Sequence, residues 1–239
     1  MISAIASLLL TLFFVATPAA AATHCDLPPV AVTNVRLFDG EAVTPKATVV
    51  TRCTTIWRIK IGSASLELPT DTVTIDGHGM TLLPGLIDTH THTWSVPMLE
   101  RPLDFGVTTV MDMGSTNREF AGSIRTERAT GPSRNRSDLY SAVLWVTAPG
   151  SHGTQWAEVP TLVEPEDAVA FVAARVEEGA DYVKIIYDNF KMFDRDIPTL
   201  KKETMEAVVA AAHAQGLMAV VHSRDVEAWA DVVNAGVDG

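Results

Sequence analysis

Short apolar runs that end in polar residues recur through the last two thirds of the chain. They are typical of buried strands in a parallel sheet and lie near residues 82–90, 107–111, 140–146, 181–186 and 217–222. Apolar residues at helical spacing occupy segments 166–178, 200–215 and 226–233. Residues 115–138, rich in Arg, Ser and Thr, favour an irregular surface excursion of helix and loop. The alternation of strands and helices predicts an α/β fold with a parallel sheet.

The first 22 residues differ in character from the rest of the chain. Residues 2–15 are almost all apolar, and the stretch from Pro18 to Ala22 supplies the small residues beside which signal peptidase cuts. The apolar stretch is short for a membrane span, and Pro18 interrupts it. We therefore expect residues 1–22 to be a cleavable signal peptide, with export to the periplasm or the medium and no stable membrane span after cleavage.

Two histidines stand at the end of the first apolar run, in the stretch from Leu82 to Thr93. His90 and His92 are two residues apart, and side chains at this spacing in an extended segment point to the same side, about 6–7 Å apart. Two neutral imidazoles so placed can bind one metal ion. This pattern occurs often by chance, so its meaning depends on further ligands at the ends of other strands.

Further candidates follow two later strands. Lys184 is the one cation in the strand-like run from Asp181 to Tyr187, and His222 directly follows the apolar run 217–221. Taken singly, Lys184 is a lysine that extends to solvent, and His222 is a histidine packed at a strand end. A desolvated lysine is partly neutral, however, and its amine can capture carbon dioxide to form a carbamate, which can bridge two cations. All four residues lie at carboxyl ends of predicted strands, where barrel enzymes keep their chemistry.

Several segments together resemble one family; they are Val32–Gly40, Ile75–His92, Gly106–Gly114 and Gly179–Lys184. They are similar to the metal-dependent amidohydrolase superfamily, and within it to the imidazolonepropionase-like and Xaa-Pro dipeptidase-like members that use a carboxylated lysine. The resemblance implies a (β/α)8 TIM barrel preceded by a small β-sandwich. We expect residues 23–80 to form the N-terminal sandwich segment and residues 81–239 to supply about the first five βα units of the barrel.

The resemblance also implies a site that holds two divalent ions. His90 and His92 would bind the first ion, His222 the second, and a carbamylated Lys184 would bridge them. Imidazole and carbamate ligands suit zinc. A metal-activated water would then hydrolyse the C–N amide bond of a small molecule, which is a dipeptide, an N-acyl amino acid or a cyclic amide.

The sequence departs from the family pattern at its end. The family places a further histidine after the sixth strand and an aspartate, the general base, after the eighth, and neither can be assigned before Gly239. We therefore expect a truncated form that lacks the C-terminal part, is weakly active or inactive by itself, and exposes strand edges. The alternative is a non-catalytic binding or structural protein of the same fold, and whether the protein forms a homo-oligomer stays open.

Other residues near the predicted strand ends are candidates for supporting roles. His152 and Tyr187 are candidate substrate-binding residues, although His152 is equally expected to be a solvated loop residue and Tyr187 to pack at the barrel rim. Asp88 shares the strand face of His90 and His92 and can support a ligand by hydrogen bonding.

Composition narrows the class of partner, and export gives the two cysteines a role. Hydrophobic residues at 47% and charged residues at 20% are ordinary for a folded enzyme, and a net charge of −11 without a basic run argues against nucleic acid as a partner.

In an oxidising compartment, Cys25 and Cys53 are candidates for a disulfide that ties the mature N-terminus to the sandwich.

Export can be tested by intact-mass analysis of the protein from a secreting host. We expect the exported protein to have lost about its first 20–24 residues, because cleavage follows the small residues near Ala22. Recovery of the full-length mass from the cytoplasm of that host would contradict the prediction.

Overall fold

The computed structural model describes residues 26–62, 65–131, 133 and 135–239. It divides the chain into two compact units, of which the first ends at Leu82 and the second begins at Leu83. The predicted signal peptide and Cys25 lie outside the described residues, so cleavage and the Cys25–Cys53 bridge stay predictions. Within the described ranges, no helix is long and apolar enough to cross a membrane.

The first unit is a five-stranded mixed sheet. Its strands are β1 (Val30–Phe38), β2 (Val43–Arg52), β3 (Thr55–Ile61), β4 (Val73–Asp76) and β5 (Thr81–Leu82). Strands β1, β2 and β3 are antiparallel neighbours, whereas β4 and β5 both pair with β1 in parallel. The described strands of this unit form a single sheet, so the sandwich predicted from the resemblance is not confirmed.

In the described part of the second unit there are five strands, each followed by a helix. The strands are β6 (Leu86–Thr91), β7 (Val107–Asp112), β8 (Asp138–Ser141), β9 (Val183–Ile186) and β10 (Ala219–His222). The helices are α1 (Pro97–Leu103), α2 (Arg118–Arg128), α3 (Ala168–Glu177), α4 (Lys202–Ala214) and α5 (Val226–Asn234). Each strand overlaps one of the apolar runs in the sequence, and α3, α4 and α5 lie in the segments with helical spacing.

The strands of the second unit are parallel but form two separate sheets. Strands β6, β7 and β8 are neighbours in one, and β9 pairs with β10 in the other. Val146, beyond β8, connects them: its N–H donates to the Lys184 carbonyl (2.7 Å), and its carbonyl accepts from the Ile186 N–H (2.9 Å). None of the described sheets closes, so the predicted eight-stranded barrel is not confirmed.

The two faces of β9 have different surroundings because side chains alternate along a strand. Val183 and Ile185 pack into the largest apolar core, together with α3 and α4 residues such as Val172 and Val208. Lys184 and Ile186 point the other way and line a cavity. The alternation therefore separates a structural face from a functional face.

Helix α2 is more regular than its composition predicts. The Asn117 side chain caps it by accepting the Phe120 N–H at 3.1 Å. On its inner side Ile124 is buried against Leu99 and Leu139. Residues 115–138 thus contain the helix and the loop expected from the sequence, and the buried Ile124 holds the helix against the first sheet of this unit.

Packing of α3 can be tested with two valines on the same helix. Val172 is fully buried and Val169 is 66% exposed. We expect Val172→Ala to lower the free energy of unfolding by about 2 kcal/mol, from two buried methyl groups and the cavity left behind. Val169→Ala gains the same helix propensity and should change stability by less than about 0.5 kcal/mol. Equal midpoints in urea unfolding of the two variants would contradict the assigned packing.

Candidate functional site

A cavity of about 640 Å³ lies at the carboxyl ends of the strands in the second unit. All four predicted metal ligands line it, together with His152; the predicted ligands are His90, His92, Lys184 and His222. The structure thus brings together residues that are up to 132 positions apart in the chain, from His90 to His222. The cause is the parallel arrangement, which places the carboxyl ends of neighbouring strands at the same edge of a sheet.

His90 and His92 form an adjacent pair at the end of β6. Their ring centroids are 5.8 Å apart and the rings meet edge to face. Nδ1 of His92 lies 2.9 Å from the Gly114 carbonyl oxygen. Since a carbonyl only accepts, Nδ1 carries the hydrogen, and Nε2 is left with a lone pair for a metal ion. The Asp88 carboxylate accepts the backbone N–H of His90 at 3.1 Å, so it supports the strand end rather than a ring.

Lys184 is buried without a counter-charge. It is 4% exposed, and its ammonium group has no hydrogen bond or ion pair with the described residues. Desolvation lowers the pKa of Lys184 to about 8. A much larger fraction of this amine is therefore neutral near physiological pH than of an ordinary lysine.

The histidines near Lys184 are held in the neutral form. Burial first, and then the charges of His152 and Lys184, lower the pKa of His222 to about 4. The pKa of His90 is lowered by desolvation and then by the charges of Lys184 and His92. Lys184 is thus the common electrostatic neighbour of His90 and His222, and neutral imidazole is the form that binds metals.

The donor set can be tested for its fit to metal ions. Among the described residues, no three His, Cys, Asp or Glu side chains come close enough to hold an ion by themselves. The histidines are divided into the pair His90–His92 and the single His222, with the Lys184 amine near both. This donor set fits two ions only if a group on Lys184 supplies further ligand atoms, as an anionic carbamate can.

His152 belongs to the same cavity. Its ring contacts those of His222, Trp156 and Phe190, with centroids 4.7–5.0 Å apart, and its Nδ1 is 3.0 Å from the Gln155 side-chain nitrogen. Desolvation and then the charge of Arg224 lower the pKa of His152. Its predicted role in substrate binding stays a prediction.

Tyr187 lies outside the histidine-lined cavity. It lines a second cavity of about 530 Å³, where its hydroxyl donates to Asp231 at 3.1 Å. Burial and this hydrogen bond raise the pKa of Tyr187 to about 12. Because Tyr187 directly follows Ile186, its side chain leaves the backbone on the side opposite to the cavity. Tyr187 therefore does not lie beside the histidines, where its predicted role in substrate binding would require it to be.

Two buried aspartates at strand ends were not singled out from the sequence. Asp112, at the end of β7, accepts the Thr93 N–H (3.1 Å) and the Ser141 hydroxyl (2.6 Å), and burial raises its pKa. It therefore joins the ends of three successive strands. The sequence signal was available, since this carboxylate directly follows an apolar run.

Asp188, shortly after β9, is the second buried carboxylate. It accepts hydrogen bonds from His222, from the Phe190 N–H and from Arg224. Burial by itself raises the pKa of Asp188, but the Phe190 N–H and the Arg224 guanidinium outweigh it and lower the pKa. This aspartate contacts a predicted metal ligand directly.

The remaining wall of the cavity is aromatic and apolar. Trp94, Trp145 and Trp156 line it, and the last two meet edge to face at 6.3 Å. Trp145 is seated between two glycines with positive φ, Gly114 and Gly153. A Cβ atom at these glycines would lie 2.6 and 2.3 Å from the indole, so any other residue would displace the ring.

Comparison with known protein sequences identifies distant relatives. No protein-family model matches the chain. Uncharacterized proteins of Mycobacterium tuberculosis and Mycobacterium bovis are 27% identical over 167 residues, which cover 66% of this chain and 43% of each relative. The chain thus spans less than half the length of these curated relatives.

Solved structures give a closer match in shape than in sequence. A Xaa-Pro dipeptidase with methionine bound in its active site superposes with a TM-score of 0.69 at 24% identity, over 88% of this chain and 60% of that one. An amidohydrolase (TM-score 0.69, 19% identity, 87% and 59%) and phenylurea hydrolase B (0.66, 21%, 88% and 58%) are similar too. At these identities the likeness shows the fold: the chain has an α/β fold shared with hydrolases of the amidohydrolase type.

Proposed function

We propose that this protein is a metal-dependent hydrolase of C–N amide bonds. The observation that carries the proposal is the position of the Lys184 amine, buried without a counter-charge and near both His90 and His222. A structural role does not explain such a lysine, because a buried ammonium without a partner destabilises a fold. Conversion of the amine into an anionic ligand with cations bound beside it would remove that cost and supply the ligand that the three histidines lack.

Lys184 would react with carbon dioxide in its neutral form. The amine nitrogen forms a bond to the carbon atom, one C–O double bond becomes a single bond, and the nitrogen releases a proton to solvent. The product is a carbamate with one negative charge shared by two oxygens, which can face two cations. The lowered pKa of Lys184 favours the step because only the neutral amine has the required electron pair.

Each predicted ligand would have a defined task at the ions. His90 and His92 would hold one ion, His222 the other, and carbamylated Lys184 both; zinc suits this set. Two bound ions would lower the pKa of a shared water and polarise the amide carbonyl. Asp88 would steady the backbone that carries His90, and the neutral rings would leave their lone pairs free for binding.

The aromatic wall favours an amide that carries an apolar or aromatic group. Trp156 is 64% exposed and Trp94 is 54% exposed, although both line the cavity, and exposed aromatic surface beside a polar cluster marks a binding site. The scissile bond would lie at the histidines and the apolar group against the indoles. Phenylurea hydrolase B, a protein of similar fold, is named for an aromatic substrate. Dipeptides and N-acyl amino acids with aromatic groups therefore come first in an assay.

Removal of single ligands tests the metal site. We expect His90→Ala, His222→Ala and Lys184→Ala each to reduce the zinc bound per protein, measured by elemental analysis after dialysis. Propionate or a similar short carboxylate should partly restore zinc in Lys184→Ala, because its oxygens can replace the carbamate. His213→Ala is the control, since His213 bonds to Asp238 outside the cavity. Full zinc content in Lys184→Ala would contradict the bridging role.

Replacement of an exposed indole tests the substrate preference. We expect Trp156→Leu to weaken binding, measured by isothermal titration calorimetry, about fivefold for an N-acyl amino acid with an aromatic acyl group, and little for its acetyl counterpart. Trp229→Leu is the control, because Trp229 is 55% exposed on α5 and lies outside the cavity. An equal loss on both substrates would indicate damage to the loop instead of lost aromatic contact.

A further inference from the structure

We propose that Asp188 is a positioning residue, which selects the ring nitrogen through which His222 binds metal. The inference rests on the proposed function, since it assumes that His222 is a metal ligand. It adds a residue outside the predicted ligand set, which lies in the segment after β9, whereas the histidine that it controls ends β10.

The two residues meet because of the register between β9 and β10. His222 pairs with Ile186, so the end of β10 lies beside the backbone that leads to Asp188. Nε2 of His222 is 3.0 Å from Oδ2 of Asp188, and the Asp188 side chain is only 1% exposed. The Asp188 carboxylate is therefore shielded from water, whereas the His222 side chain is 24% exposed.

The Asp188 carboxylate is itself fixed in place. Its Oδ1 accepts the Phe190 N–H at 2.8 Å, and its Oδ2 also accepts from Nε of Arg224. The Arg224 guanidinium lies 3.8 Å from the centroid of the Phe190 ring, so stacking holds it in turn. The ion pair with Arg224 keeps the carboxylate charged in a buried position. A charged carboxylate accepts hydrogen bonds and donates none.

The contact determines the tautomer of His222. Because Asp188 only accepts, the hydrogen of the neutral ring must reside on Nε2, and the lone pair is left on Nδ1. His222 also lines the cavity, so Nδ1 is the nitrogen available to a metal ion. Without Asp188, the neutral ring could carry its hydrogen on either nitrogen, and part of the population would present an N–H group to the cation.

A comparison with His92 shows that the two histidines are controlled in opposite ways. Nδ1 of His92 donates to the backbone carbonyl of Gly114, which leaves Nε2 for metal. His222 donates through Nε2 to a side chain and keeps Nδ1. The partner of His222 is a side chain, whereas the partner of His92 is a backbone carbonyl. A substitution can therefore remove the hydrogen bond of His222 but not that of His92.

The test is Asp188→Asn, which retains the shape of the side chain. The amide oxygen can still accept the Phe190 N–H, and the amide nitrogen then donates to Nε2 of His222. Arg224 loses its acceptor, because the amide nitrogen takes the place of Oδ2, and its side chain, which is 29% exposed, turns to solvent. The hydrogen of the ring should consequently move to Nδ1. We expect the ¹⁵N NMR shifts of the His222 ring in metal-free protein, assigned by loss of the signals in His222→Ala, to change from the Nε2–H to the Nδ1–H pattern. Zinc titration should show one of two ions bound about 10–100-fold more weakly.

Asp238→Asn is the matched control. Oδ2 of Asp238 is also 3.0 Å from Nε2 of a histidine, His213, but that pair lies outside the cavity. This variant should leave the His222 signals and both zinc affinities unchanged. Asp188→Glu keeps a carboxylate and should retain the Nε2–H tautomer, which a loss caused only by general destabilisation would not explain.

Specific results would overturn the inference. An Nδ1–H tautomer of His222 in the metal-free wild-type protein would do so without any variant, and so would unchanged binding of both ions by a folded Asp188→Asn protein. Failure of the proposed function has a different signature. In that case the wild-type protein takes up no zinc. The tautomer measurement still shows whether Nε2 of His222 donates its hydrogen to Asp188.

Discussion

The burial of the Lys184 amine is the constraint on which the arrangement of the candidate site depends. Alternation along β9 sends Val183 and Ile185 into the core beneath α3 and α4, and the same alternation forces Lys184 to the opposite face. An ammonium group there is largely desolvated and has no counter-charge among the described residues. Its lowered pKa, and its effect on His90 and His222, both follow from this position.

Two buried carboxylates give the strand ends their geometry. Asp112 connects the ends of β6, β7 and β8 through Thr93 and Ser141, and Asp188 connects the segment after β9 with His222 and Arg224. Each is shielded from water and hydrogen bonded, so each holds its partners more firmly than a solvated group could. Asp188 thus fixes the His222 ring directly, and Asp112 fixes the backbone next to His92 through the Thr93 N–H.

The cavity combines a polar and an apolar half with different requirements. The proposed chemistry would need neutral imidazoles and a reactive amine in the polar half, and desolvation lowers the pKa of His90, His222 and Lys184 towards these forms. The apolar half depends on Trp145, whose position requires the absence of a side chain at Gly114 and Gly153. An amide with an apolar group would contact both halves, which gives a physical reason for the substrate class proposed above.

The sequence by itself determined where strands and helices lie, because apolar periodicity is a local property. It located all five strands of the second unit and singled out His90, His92, Lys184 and His222, which the structure places in one cavity. It predicted helix and loop at residues 115–138 but not the apolar contacts of α2, and it offered Tyr187 as a substrate-binding candidate, although that side chain lies outside the histidine-lined cavity. It passed over Asp188 and Trp145 altogether. The positions of these side chains depend on which strands become neighbours and on which face of a strand each side chain lies. The position of Trp145 also depends on glycines that leave room for its indole. Such contacts join distant parts of the chain, so only the tertiary structure decides them.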